Sequence, residues 1–137
     1  MSATSRTVIQ RFIEEILNQK KLDVADEIVA ENFVELDPFP GQGPGRQGLK
    51  DVLSAFIAGF PDMHWVIEEQ IAEGDKVMTR FTWTGTHQGA FMGIPATGRP
   101  VKVKGVAIDR VVDGWMVDSR ILMDSMGMLQ QLGVLPA

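Results

Sequence analysis

Residues 5–19 place Val8, Ile9, Phe12, Ile13, Ile16 and Leu17 on one stripe, with Arg11, Glu14, Glu15 and Asn18 opposite. That spacing predicts an amphipathic helix, with Ser5 or Thr4 able to cap its start. Asp23 opens a shorter helical run through Ile28 and Val29, and Phe33–Asp37 reads as a short strand stopped by Pro38. The following Pro-Phe-Pro-Gly-Gln-Gly-Pro-Gly has no propensity for helix or strand and predicts a rigid loop. A second amphipathic helix runs from about Arg46 to Phe60, with Leu49, Val52, Leu53, Phe56, Ile57 and Phe60 on one face and Pro61 ending it.

Beyond Pro61 the period becomes two. His64–Ala72 and Lys76–Thr86 flank Glu73-Gly-Asp75, and Val101–Val112 and Trp115–Asp124 flank Asp113-Gly114, so two tight hairpins are expected. Gln88–Pro100 between them predicts a rim loop, and Met126–Leu132 a short apolar tail over an opening. Helices first and then four long antiparallel strands, without βαβ alternation, predict one α+β domain over residues 1–137. Such a sheet curls into a cone over the helices and encloses one apolar pocket.

Composition narrows the chemistry. With 45% hydrophobic and 23% charged residues, the chain is an ordinary globular protein. A net charge of -5 argues against a nucleic-acid partner, and no apolar run is long enough for a membrane span. Cysteine is absent, which removes disulfides, thiolate nucleophiles and Cys-ligated zinc and fits a cytoplasmic setting. The two histidines, His64 and His87, match no compact metal spacing, and neither a phosphate loop nor a Gly-x-Ser-x-Gly elbow occurs. No metal is expected.

Five motifs in order carry a family likeness: Phe60-Pro-Asp62, Ala72-Glu-Gly-Asp75, Gly85-Thr-His-Gln-Gly89, Gly93-Ile-Pro-Ala-Thr-Gly98, and Asp124 followed by Met128-Leu-Gln-Gln-Leu-Gly133. Together they resemble the SnoaL-like polyketide cyclases, from about Phe12 to Leu135. The resemblance implies a cone-shaped α+β fold of the nuclear transport factor 2-like superfamily, a homodimer joined through the sheet, and no cofactor. It also implies that Asp124, on the last strand, acts as general acid/base in an intramolecular aldol closure. Two departures stand out: Arg120 and Leu36 occupy positions where the family often has tryptophan and histidine.

Strand alternation puts Asp118, Arg120 and Asp124 on one face of the last strand. A carboxylate in an apolar cavity has its charged form desolvated, which raises its pKa toward neutrality and suits proton transfer at carbon. Asp124 could equally cap the helix starting at Ser125. His87 could orient Asp124 or a substrate oxygen, or simply fasten the rim loop; Arg120 could serve an oxyanion, or pair with Asp118 or Asp109.

Candidate substrate contacts are Asp37 at the loop mouth, Trp65, Trp83 and Met116 on the strands, and Phe91, Met92 and Ile94 as an apolar lid. The expected ligand is a small or medium hydrophobic carbonyl compound, cyclised or isomerised without a cofactor. An epoxide hydrolase of the limonene-epoxide type, using Asp109, Arg120 and Asp124, and a non-catalytic binding domain for hydrophobic molecules are the alternatives. Ketosteroid-isomerase chemistry resembles this pocket too, but it relies on a tyrosine, and this chain has none.

Overall fold

The computed structural model describes residues 2–136. Helix α1 (Ser2–Arg11) widens into a π-helical segment, Phe12–Asn18, and a 3-10 turn (Leu22–Val24) leads into the short α2 (Ala25–Ile28). Strand β1 (Val29–Glu35) follows, then α3 (Gly45–Gly59). The strands β2 (His64–Glu73), β3 (Lys76–Thr86), β4 (Pro100–Val112) and β5 (Trp115–Met123) form a meander, and α4 (Ser125–Gln131) closes the order. The sheet runs β1-β5-β4-β3-β2 and does not close on itself.

The α+β architecture with an apolar helix-covered face is the one expected. Three local readings need correction. Helix α1 starts at Ser2, so Ser5 sits buried within it and not at its N-cap position; the side chain of Thr4 lies outside the described residues. The first strand begins at Val29, four residues ahead of Phe33, and takes over the end of the expected helical run. It also pairs with β5 in parallel, which makes the sheet mixed rather than wholly antiparallel. No hairpin ties β1 to the meander; α3 carries the chain across to the far edge, so the direction of β1 is set by docking alone.

Both hairpins form as read. Asp113 and Gly114 have φ of 51° and 83°, the left-handed pair that a two-residue turn between twisted strands requires. Period-two alternation then sorts the strands. On β4, Val101, Val103 and Val111 are buried, while Lys102, Lys104 and Val112 face out. Helix α1 packs on β2, β3 and β4, and α3 packs on β1. The helices are held to the sheet edge by Asn18, whose Oδ1 accepts the Trp65 N–H at 2.7 Å while its Nδ2 donates to Trp65 O at 3.0 Å.

The loop after β1 folds back over the helix side. Phe39 N–H donates to Gln42 Oε1 at 3.1 Å and Gln42 N–H to Phe39 O at 3.0 Å, which fixes both side chains over the interior. Gly48, in the first turn of α3, lets this loop return, because a Cβ there would fall on the carbonyl oxygen of Gly43. Gly48→Ala is therefore expected to destabilise the fold by about 1–3 kcal/mol, as overpacking against backbone does. Urea unfolding checks it, and a midpoint equal to that of wild type would show that the loop yields freely.

Candidate functional site

Between the sheet's inner face and the helices lies a cavity. Phe12, Leu53 and Phe56 wall it from the helices, Phe33, Trp65 and Phe81 from the sheet, and Phe39 and Gln42 cover it. Its volume is about 70 Å³. Four polar side chains from strands enter this apolar shell: Glu35 of β1, Thr79 of β3, Asp109 of β4 and Ser119 of β5. Three of them sit where alternation directs them inward, and Ser119 lies across from Asp109 beyond a register shift in β5. Glu35 is two residues beyond buried Phe33, Thr79 two beyond buried Val77, and Asp109 two before buried Val111.

The two carboxyls are the cavity's chemistry. Asp109 is 5% exposed and stands directly across from Ser119 in the β4–β5 register. Burial pushes its pKa up to about 7; the Ser119 hydroxyl, which donates to the carboxylate, works the other way, and the charge of Asp118 adds to the rise. Glu35 also rises to about 7. Burial is again the main cause, the Asp37 N–H bonded to it opposes the rise, and the negative charges of Asp109 and Asp37 reinforce it. The Asp37 N–H donates to Glu35 Oε2 at 3.2 Å. Two neighbouring carboxyls that both favour the protonated form cannot easily both ionise, so near neutrality the pair holds about one proton.

The residues expected at the site divide sharply. Trp65 and Met116 do line the cavity. Asp124 does not: it is exposed at the start of α4, where its Oδ1 accepts the Gly127 N–H at 2.9 Å, an N-cap bond. Arg120 is exposed on the outward side of β5, opposite exposed Ile108. Its expected pairing partners are engaged elsewhere, Asp118 with Arg110 Nε at 2.9 Å and Asp109 in the interior. The Asp109–Arg120–Asp124 triad is therefore not assembled.

His87 is fully buried but stacks on Phe60, with ring centroids 5.3 Å apart. Its Nδ1 accepts the Thr97 N–H at 3.2 Å, and its backbone N–H donates to Arg99 O at 2.9 Å, so it fastens the rim loop. Trp83 is plain core, stacked against Trp65 with its Nε1–H directed at Met123 Sδ, 3.3 Å away.

The expected lid residues form a separate groove. Phe91 is buried, Met92 is 58% exposed and Ile94 is half-buried at a tight turn; the three line a groove with Met128 and Leu129. Asp37 points to a shallow depression with Leu36, Pro38 and Leu122. Phe39 and Met123 border the cavity, the groove and the depression alike, so they form the wall between the interior and the outside.

Sequence reasoning passed over Glu35, Thr79 and Ser119, and placed Asp109 only as an ion-pair or triad member. The available signal was a polar residue at the inward parity of a strand whose neighbours at ±2 are apolar. Among the described residues no group of three His, Asp or Glu side chains could hold a metal ion, and no helix is long and apolar enough to cross a membrane.

Comparisons with known proteins agree with the fold. The family model for SnoaL-like polyketide cyclase matches residues 7–132. The aklanonic acid methyl ester cyclase DnrD of Streptomyces peucetius is 27% identical over 140 residues, covering 96% of this chain and 92% of the relative. IdmH of Streptomyces antibioticus superposes with a TM-score of 0.82 at 34% identity, covering 95% of this chain and 99% of the other. TsrD of Streptomyces laurentii gives a TM-score of 0.89 at 25% identity, with 98% of each chain covered.

Proposed function

This chain belongs to the SnoaL-like polyketide cyclase family, and we propose that it catalyses proton transfer at carbon in a neutral, apolar ketone, leading to aldol ring closure or isomerisation, through Asp109 and Glu35. The observation that carries this reading is the pair of inward carboxyls, each raised to about 7, in an otherwise apolar cavity. The family supports a cyclase- or isomerase-type role; the residues assigned to it are our own reading.

Asp109 is the base. Its anion is supported by Ser119, and it is too dry to be well solvated, so its carboxylate is basic enough to take a proton next to a carbonyl. That C–H bond breaks, the proton goes to Asp109, and the electron pair becomes an enolate. In ring closure the enolate carbon bonds to a second carbonyl carbon of the same molecule, and the resulting alkoxide takes the proton of Glu35. In isomerisation Glu35 instead protonates the far end of the conjugated system. Half-buried Glu35 is closer to solvent than Asp109, which lets water restore the pair to its singly protonated state.

An epoxide hydrolase needs an arginine between two acids, and Arg120 and Asp124 lie outside the cavity. A passive container would have no need of titrating groups inside.

The test is hydrogen–deuterium exchange at the methyl group of acetophenone in D2O, followed by proton NMR across pH 5–9. Activity requires one carboxylate and one carboxylic acid, so the expected profile is a bell with its maximum near 7. No acceleration over buffer, or a profile with no limb between 5 and 9, would overturn the reading.

A further inference from the structure

Trp65 lines the cavity and carries a hydrogen-bond donor that the protein leaves unused. The residue is 7% exposed and lines the cavity, yet its Nε1 is buried without any partner among the described residues. Buried indole N–H groups ordinarily find an acceptor, because an unmade bond forfeits the solvation lost on burial. Nothing suggests that this ring is free to turn away and find one. Asn18 bonds both the N–H and the carbonyl of the Trp65 backbone, in place of the neighbouring strand that this edge of the sheet lacks. The indole packs against Trp83, nearly parallel at 17° with centroids 5.8 Å apart, and against Phe81, tilted at 42° and 4.7 Å away. A rigid, desolvated donor thus belongs to a residue of the same cavity lining as two carboxyls.

Of the wall's hydroxyls, only that of Ser119 is committed as a donor. Ser119 donates to Asp109, and Thr79 Oγ1 accepts from Gln70 Nε2 at 3.1 Å. We propose that the Trp65 Nε1–H is the donor for the carbonyl oxygen of the ligand, and that it selects neutral ketones over both hydrocarbons and carboxylates. A hydrocarbon of the same shape leaves the donor orphaned. A carboxylate could accept from it, but would have to enter beside Glu35 and Asp109, whose negative charge opposes an anion in so dry a site. During proton abstraction the same bond strengthens as charge moves onto the oxygen, which makes Trp65 a contributor to enolate stabilisation as well as to binding. That catalytic consequence rests on the carboxyl-pair reading; the binding selectivity does not.

The experiment uses three probes of one shape: acetophenone, α-methylstyrene and benzoate. The chain has three tryptophans, so the indole resonances in a 15N-correlated proton spectrum are assigned from Trp65→Phe, Trp83→Phe and Trp115→Phe. Saturating acetophenone is expected to move the Trp65 indole proton downfield, while α-methylstyrene binds without that shift and benzoate does not bind. Trp65→Phe keeps an aromatic ring and removes the donor. It is expected to weaken acetophenone about tenfold, the usual size of one net hydrogen bond, and α-methylstyrene by less than about twofold.

Equal weakening of the two neutral probes would overturn the proposal. So would an unmoved Trp65 resonance at saturation, or no saturable acetophenone binding at all. The wild-type shift needs only the assignment, so it stands even if Trp65→Phe binds poorly because its packing is disturbed. Failure of the carboxyl reading looks different: exchange at the methyl group would survive Asp109→Asn while the indole shift stayed as described.

Discussion

Asparagine in place of Asp109 is expected to slow methyl-hydrogen exchange of acetophenone by about 10²–10⁴-fold, the range general acid–base groups contribute. Asn keeps the size and one acceptor oxygen facing Ser119 but cannot carry a proton away from carbon. Binding should survive, because the apolar walls that hold the ligand are untouched, so the loss falls on kcat rather than KM. Glu35→Gln acts differently: it removes the acid and one negative charge but leaves the base, and should turn the bell into a lower rise to a plateau, with its limb moved below that of wild type. Asp124→Asn is the contrasting variant. That side chain caps α4 from the outside, and asparagine caps about as well, so activity should stay within about twofold. If Asp124→Asn abolished exchange while Asp109→Asn spared it, the last-strand aspartate expected from the family resemblance would be restored to the reaction.

The same carboxyl imposes a pH dependence on stability. Asp109 titrates near 7 when folded and near its ordinary 3.8 when unfolded, so between those values the native state holds more protons. Stability from this group is therefore complete below about pH 4, falls as pH rises through 7 and levels off above. A displacement of roughly three units, at 1.36 kcal/mol per unit, corresponds to about 4 kcal/mol as an upper figure for so buried a group. Glu35 acts in the same direction and less strongly, being only half-buried.

Asp109→Asn should remove most of that slope, and at pH 8 it should make the protein more stable than wild type by about 2–4 kcal/mol. Urea unfolding at pH 5 and pH 8 measures it. Surface carboxylates do not mask the effect. Asp62, whose carboxylate accepts from Thr86 N and Oγ1, is lowered rather than raised, so its contribution is lost only in more acidic solution. Wild-type and variant curves running parallel from pH 5 to 8 would mean that Asp109 folds already ionised.

Much of the fold could be read because the decisive signals are local. The second helix and all four meander strands fall within a residue of their expected ends, since period, Pro61 and the Asp113-Gly114 turn fix them without reference to distant contacts. The parallel docking of β1 is a long-range choice, and no pattern within Val29–Glu35 encodes its partner.

The site was harder for a related reason. β5 carries large apolar residues at both parities, so alternation there cannot say which face is interior. A register shift lies between its pairings at Met116 and Asp118, and buried Met116 and buried Ser119 therefore sit on opposite parities while both reach the cavity. On β4 the signal is cleaner, because Val101, Val103 and Val111 mark one face and Asp109 shares it. Family position favoured Asp124; strand parity on β4 favours Asp109.

Carboxyl-carbon NMR titration of Asp109, assigned by Asp109→Asn, tests the central claim most directly. An apparent pKa near 7, moving when Glu35 is replaced by glutamine, is the predicted result. A value near the ordinary 3.8, indifferent to Glu35, would contradict the account: Asp109 would be a solvated or neutralised carboxylate with no proton to trade near neutral pH.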